Sequence, residues 1–595
     1  MTTRPDPKPR LVFFQWDHRP NGAASGFLAL HMQHHVRCLA HSFNVTVIAE
    51  DCDYAEVCDR VRPDLALFEA GYRTHGSRRI RITGTGAHPD VPKVALHNGD
   101  PWCDRRAGLL SDMEHWGIET VFAIGTATPA YMPTLAERTF VWPNFIDPEV
   151  FRDYGQQKVV PVMLTGQAYG LYPWRQAVHE TLAAHYPSLV TPPFRYEDGG
   201  ARRMLAGESY ARALNASWLS PACGTMGHEL VRKHLEIPGS ACLLVAERTP
   251  VLEAAGFRDG ENCILADASD VLDRVDAMFR DEDRMRAVIA AGHDLVHARH
   301  TLAHRTQIRE WFELNRRLRP GDCIVQPGPF EPLRIAAEGT RHGHLPATGL
   351  DRVALREGAR KRARGEPGEA RAAYQTALGY VGYLPEAQYG LALCDLETGR
   401  AGAAVNRLAR MIATTLADYG ATRPDPAEWA LYLAALVADG RTDHALSLRD
   451  RYPDADHVEL RHVRALLSGL ARGAPAASGP APRGGTSVHD VPVRSAEAYR
   501  AWFDDILLRC GQPPFGTVAP RAGLRDRALR LVDRALAAVG AGALRPAVPA
   551  APGMGYARHL RDTLGRRLLP PAGRRRARQL AAAVTWPMTS RIARR

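Results

Sequence analysis

Between Arg10 and Asp267 the sequence alternates short, wholly apolar runs with longer stretches of helical periodicity, and it runs through that series twice. "RLVFFQW" (Arg10–Trp16), "NVTVIAE", "DLALFEAG", "PKVALH", "ETVFAIG" and "TFVWP" make up the first series, with "FLALHMQHHVRCLAHSF" as a helix after its first strand. The pattern restarts at "KVVPVMLTG" (Lys158–Gly166). It continues through helix "PWRQAVHETLAAHY", strand "ASWLSPA", a helix from His228 to Pro238-Gly239, strand "ACLLVAE" and strand "NCILAD", and ends in helices over 269–280, 282–298 and 301–316. Apolar runs bounded by turn residues predict strands buried on both faces, and helices between them predict parallel pairing. At 595 residues the chain is too long for one core. The fold class expected is therefore α/β, with two Rossmann-like domains at 1–155 and 156–316. A dinucleotide-dependent oxidoreductase would need G-x-G-x-x-G after a first strand, and "NGAASG" lacks that spacing.

Beyond 316 the pattern changes. Residues 317–349 are rich in Gly, Pro and His and read as a linker. Gly365 then precedes Ala370 by five residues, Gly399 precedes Ala404 by five, and Gly440 precedes Ala445 by five, at offsets of 34 and 41 residues. This resembles tetratricopeptide repeats, which place Gly in inter-helix turns and Ala where paired helices touch, over 350–470. Such an arm could take a protein partner; an ordinary Ala-rich bundle is the plainer alternative. Residues 471–491 read as a Pro/Gly/Ala/Ser linker, and 492–595 as a basic helical tail. From Val491 onward there are 20 Arg, no Lys and 6 acids, a net +14, whereas the whole chain is +11, so the basic character belongs to the tail. A basic segment with interleaved Leu and Ala suits an anionic membrane surface, with a solubilising end as the alternative; sparse aromatics count against nucleic acid. No apolar run reaches the ~18–20 residues of a membrane span, and "MTTRPDPKPRLVFFQW" lacks a signal-peptide apolar region. The ten cysteines form no CxxC pair and read as small buried groups in a reducing compartment. The location expected is cytoplasmic, with peripheral attachment at the inner membrane face.

The chemistry concentrates at the carboxyl ends of the second set of strands, where α/β sheets bind ligands. "SPACGTMG" is a small-residue loop whose N–H groups, including those of Gly224 and Thr225, can approach a phosphate at the start of the next helix. On that helix Glu229, Arg232, Lys233 and Glu236 fall at i, i+3, i+4 and i+7, one face; the bland reading is a solvated face of i,i+4 pairs. The following strand ends in Glu247-Arg248-Thr249. Asp17 follows the first strand of the chain, and His97 and Asp100 sit in "VALHNGDPW", at loops expected to face a cleft. His31, His35, Cys38 and His41 nearly share a helix face, but no second ligand segment accompanies them, so no metal site is expected.

Three stretches together resemble GT-B glycosyltransferases, most nearly the CgeB-type group: "RKHLEIPGSACLLVAERTPVLEAAGFRDGENCILAD" with the later "ARHTLAHRTQIREWF", "WPNFIDPEVF" (Trp142–Phe151), and "LTGQAYGLYPWR" (Leu164–Arg175). The resemblance spans residues 10–316. It implies glycosyl transfer from a nucleoside diphosphate sugar to a hydroxyl of a cell-envelope polysaccharide, lipid-linked glycan or protein, with no cofactor and no obligatory metal. It further implies that Glu236 contacts the ribose and that Arg232, with Lys233 and Arg175, contacts the diphosphate. Gly166, Gly224, Thr225 and Glu247 would complete the donor site, and Asp100, His97 or Asp17 would be the acceptor base. Related enzymes often show E-x7-E; counting back from Glu236 gives His228 here, so the role of Glu229 and the stereochemical outcome stay open. A transferase fold that has become an inactive scaffold, binding through its repeats, is the alternative.

Overall fold

The computed structural model describes residues 7–19, 25–70, 77–191, 205–472 and 485–515. The first unit consists of β1 (Arg10–Phe14), α1 (Ser25–Ser42), β2 (Asn44–Ile48), β3 (Cys52–Asp53), α2 (Tyr54–Val61), β4 (Leu65–Ala70), β5 (Ile82–Thr83), β6 (Lys93–His97), α3 (Arg106–Trp116), β7 (Thr120–Ala123), α4 (Thr128–Tyr131) and β8 (Thr139–Val141). Six of its strands form one sheet in the order β2-β1-β4-β6-β7-β8, parallel throughout. Alternation puts Leu11, Phe13, Leu65, Leu67, Val94 and Leu96 on one face with Cys38 and Leu39 of α1. Val12, Phe14, Ala66 and Phe68 lie on the other with Tyr54 and Val57 of α2 and Leu109 of α3. Covering both faces is what allows unbroken apolar strands.

The second unit runs β9 (Val160–Leu164), α5 (Pro173–His185), β10 (Ser188–Val190), α6 (Gly207–Asn215), β11 (Ser217–Ala222), α7 (Lys233–Gly239), β12 (Leu243–Ala246), α8 (Pro250–Ala254), β13 (Ile264–Leu265), α9 (Val271–Phe279), α10 (Glu282–Arg299) and α11 (Gln307–Asn315). Its sheet order is β10-β9-β11-β12-β13, again parallel. The strand order reverses between β9 and β11, and between β1 and β4 in the first sheet. Both are switch points where a crevice opens at the carboxyl ends. The last helix, α11, crosses back: Ile308, Trp311 and Phe312 join the core of the first sheet.

Three expectations change in detail. The helix expected from His228 begins only at Lys233 and keeps Pro238 inside its last turn. Residues 317–349 contain an antiparallel hairpin, β14 (Asp322–Val325) with β15 (Arg334–Ala337). It is tied to the edge of the first sheet by Gln326, whose Oε1 accepts from the Val141 amide at 2.7 Å and whose Nε2 donates to the Val141 carbonyl at 2.9 Å. From the second Pro/Gly stretch, residues 485–491 pack as a strap in which Ser487 and Val488 are buried.

Beyond the hairpin the chain is α-helical: α12 (Leu350–Ala363), α13 (Pro367–Tyr380), α14 (Pro385–Glu397), α15 (Ala401–Ala413), α16 (Pro426–Ala438), α17 (Thr442–Leu448), α18 (Val458–Arg472) and α19 (Ala496–Arg509). Each helix from α12 to α17 packs on the next. Gly365, Gly399 and Gly440 take positive φ in the turns inside successive pairs, a conformation costly for any side chain. Ala370, Ala404 and Ala445 are fully buried. The arm docks on the first unit: Arg106, wholly buried, makes two parallel bonds of 2.8 Å to Glu386, and Tyr131 donates to Asp351 at 2.7 Å. Among the described residues no helix is long and apolar enough to cross a membrane. The basic tail beyond Phe515 lies outside the described residues.

Candidate functional site

Strand β9 ends in Thr165-Gly166, at the switch point of the second sheet. Gly166 has φ +89°, and a Cβ on it would lie 2.5 Å from Lys233 Nζ and 2.9 Å from Arg175 Nη1. The missing side chain therefore leaves room for two cationic heads. Lys233 reaches in from the start of α7 and donates to Thr165 Oγ1 at 2.6 Å. Arg175, from the first turn of α5, donates to the Gln167 carbonyl at 3.1 Å and the Cys223 carbonyl at 3.4 Å, and its guanidinium lies 4.4 Å from the Tyr172 ring centroid. Its Nε is buried without a partner. Lys233 is only half-buried by surface but enclosed on most sides. Burial first, and the Arg175 charge second, push its ammonium down to about 7, against the partial support of Glu236. Two cations held together at a strand end repel each other, and pairing with an anion would relieve that repulsion.

Glu236 lies one turn further along α7, buried and paired with Arg232 Nε at 3.1 Å. Arg232 Nη2 in turn donates to His34 Nδ1 at 2.9 Å, on α1 of the first unit. Arg232 thus spans the cleft between the two sheets. An imidazole that accepts from a guanidinium must be neutral, and burial, together with the Arg232 charge, holds His34 and His35 at about 3. His34 lies outside the His31, His35, Cys38 and His41 spacing on α1; what identifies it is its partner on the other unit, which no local pattern contains. Among the described residues no group of three or more His, Cys, Asp or Glu could hold a metal ion. His179 on α5 also lies in the field of Arg175 and Lys233, and burial before those charges lowers it to about 3.

The small-residue loop behaves differently from expectation. The Gly224 N–H, expected to face a phosphate, donates to Glu247 Oε1 at 2.7 Å. Gly224 is required because a Cβ there would run into the Glu229 backbone. Thr225 takes φ +66°; its hydroxyl donates to the Gly224 carbonyl and accepts from the Gly227 amide at 3.1 Å. The loop therefore satisfies itself, with Glu247 as its brace. Burial raises Glu247 to about 7. Glu229 precedes α7 and shares no face with Lys233. Its carboxylate crosses to the first unit and accepts from the Thr126 amide (2.8 Å), the Thr126 hydroxyl (2.8 Å) and the Ala127 amide (2.7 Å), just before α4. It serves as a brace between units.

Of the candidate bases, Asp100 alone is exposed. It follows β6, and its surroundings cost it enough hydration to raise it to about 6. His97 is wholly buried, contacts Cys103 Sγ at 3.4 Å, and is held at about 3 by burial and then Arg106, which removes it from contact with any substrate. Asp17 is clamped by Arg19 at 2.8 Å and Arg78 at 3.7 Å. The Arg19 hydrogen bond lowers it, leaving it a weak base. His18, absent from the sequence reading, sits beside it with Nε2 3.1 Å from Glu69 Oε1 and Nδ1 2.8 Å from Ser77 Oγ. Burial lowers its pKa, but Glu69 outweighs this and the net shift is upward. With both ring nitrogens engaged, His18 ties loops together.

A protein-family model described as "Glycosyl transferase-like" matches residues 171–311, a stretch that includes Arg175, Arg232, Lys233 and Glu236. No curated protein matches the chain. Among solved structures, sucrose-phosphate synthase from Thermosynechococcus elongatus is similar at 9% identity and a TM-score of 0.37, over 52% of this chain and 99% of that one. The Anabaena protein HepE in complex with UDP and glucose is similar at 11% identity and a TM-score of 0.33, over 52% and 100%. TarM is similar at 9% and 0.31, over 44% and 57%.

Proposed function

We propose that this chain is a glycosyltransferase that moves a sugar from a nucleoside diphosphate sugar to a hydroxyl of a cell-envelope polysaccharide, lipid-linked glycan or protein. The observation that carries the reading is the pair Arg175 and Lys233 converging over Gly166, with Glu236 one turn away. The diphosphate sits against the two cations and the ribose hydroxyls donate to Glu236. Asp100, raised to about 6, takes the acceptor's proton as the acceptor oxygen bonds to the anomeric carbon. The bond from that carbon to the diphosphate oxygen breaks, and the leaving diphosphate carries the electron pair into the field of Arg175 and Lys233. Two fixed cations in a water-poor recess supply the charge stabilisation this step needs, so the reading includes no metal. The match of residues 171–311 to a glycosyl transferase-like family supports it.

The test is release of nucleoside diphosphate from a panel of UDP-, GDP-, ADP- and TDP-sugars by the full chain, with EDTA present. One donor should be consumed. Glu236→Ala should cut turnover at least tenfold on that donor, since losing a hydrogen bond to a charged group costs about 1.5–3 kcal/mol. Turnover of none of the panel, or an unchanged Glu236→Ala enzyme, refutes the reading.

A further inference from the structure

The first sheet carries a group of polar atoms that the donor reading leaves unused. Parallel pairing sets Phe14 beside Phe68 and Ala70 beside His97, so Gln15, Glu69 and Asn98 stand at the carboxyl ends of three adjacent strands, β1, β4 and β6. Alternation also places them on one face. Leu11 and Phe13, Leu65 and Leu67, and Val94 and Leu96 all point to the α1 side; two residues on from each pair come Gln15, Glu69 and Asn98. Glu69, fully buried, is the hub: it accepts from the Trp16 amide at 2.6 Å, Asn98 Nδ2 at 2.6 Å and His18 Nε2 at 3.1 Å.

Two polar atoms flanking this hub have no partner: Gln15 Nε2 and Asn98 Oδ1. Their residues are 8% and 6% exposed. Buried polar atoms are ordinarily paired, and two orphans on either side of one hub at a sheet's switch point mark a place built for something else to pair with. Their chemistry is specific. Glu69 fixes the Asn98 amide so that its oxygen faces away as an acceptor, while Gln15 offers an N–H donor. A hydroxyl both donates and accepts, whereas a phosphate or carboxylate cannot donate to Asn98 Oδ1.

We propose that Gln15 and Asn98, the latter oriented by Glu69, form a subsite for adjacent hydroxyls of a neutral sugar, the acceptor end of the cleft. This rests on the transferase reading for the word acceptor, and on the orphaned atoms alone for the sugar. The test is ligand-observed saturation-transfer NMR of methyl α-D-glucopyranoside on the full chain saturated with UDP. Gln15→Met, which keeps the length of the side chain, and Asn98→Ala are compared, with thermal melting to confirm folding. Wild type should show saturable transfer, and each folded variant should bind the sugar at least tenfold more weakly while UDP affinity stays as it was. No transfer to wild type, or equal transfer in either folded variant, overturns the proposal. A chain that binds the sugar but none of UDP, GDP, ADP and TDP would refute the donor reading and leave the subsite standing.

Discussion

Lys233 combines three constraints: a Gly166 that makes room for it, a Thr165 hydroxyl that aims it, and an Arg175 that repels it. The ammonium is the form that binds a diphosphate, and in the free protein it is half lost at about pH 7. Binding an anion restores it, so association takes up a proton wherever the free site is neutral. The sign follows: affinity for a nucleoside diphosphate is full below pH 7 and weakens above it. The weakening approaches tenfold per pH unit, about 1.4 kcal/mol. Titrations from pH 6 to 9 should show this slope in wild type and a flat profile in Lys233→Met; an equal slope in both would assign it to another group. At this scale the sequence was partly legible. That Arg175 and Lys233 meet beside Gly166 was readable as a position, because each follows a strand end that hydrophobic patterning locates. Gly224 was misread because its need is a backbone crossing with Glu229, two segments that only the folded chain brings together. Gln15 and Asn98 carry no local signal in the sequence, and one unpaired atom on each distinguishes them.

Helix α7 shows how an element can be right in kind and wrong in extent. Charges at i, i+3, i+4 and i+7 extended the helix back to His228, but His228 has φ +54° and Thr225 φ +66°, so the chain turns before Lys233. That turn frees Glu229 to reach across to the start of α4. Burial raises its carboxyl to about 7. An acid whose folded pKa lies above its unfolded value near 4.5 loses stability as pH rises through that interval, because the unfolded chain releases the proton first. Glu229→Gln keeps the shape, abolishes this dependence, and turns one acceptor into a donor facing the N–H groups of Thr126 and Ala127. The variant should melt below wild type at pH 5, with the gap narrowing toward pH 7 by an amount on the order of 1–3 kcal/mol. Hydrogen exchange at Thr126–Tyr131 should quicken. A gap that does not vary with pH, with unchanged exchange, would show that Glu229 does not hold the units together.

On the scale of the whole chain, two α/β units and a helical arm were legible because strand burial and helix periodicity are local signals. The Gly–Ala offsets likewise marked the turns and contacts of the arm. What was not legible is how these bodies meet. Tyr419 packs against Gly108, where no Cβ could fit, and its hydroxyl donates to Asp112 at 2.8 Å. Trp16 lies 5.7 Å from the same ring, and α11 returns to the first sheet. Ser487 and Val488 bond to Asp425 at 2.8 and 2.9 Å from a stretch whose composition reads as a linker. Contacts of this kind join residues far apart in sequence and leave no periodic trace. The claim that the site over Gly166 holds a diphosphate is central. Calorimetric titration of UDP, GDP, ADP and TDP into the full chain at pH 6.5 tests it directly, alongside Arg175→Ala and Lys233→Ala variants shown to be folded. The account predicts saturable one-to-one binding of at least one of the four, weakened tenfold or more in each variant. Heat flow indistinguishable from dilution for all four, or wild-type affinity in both variants, would contradict it.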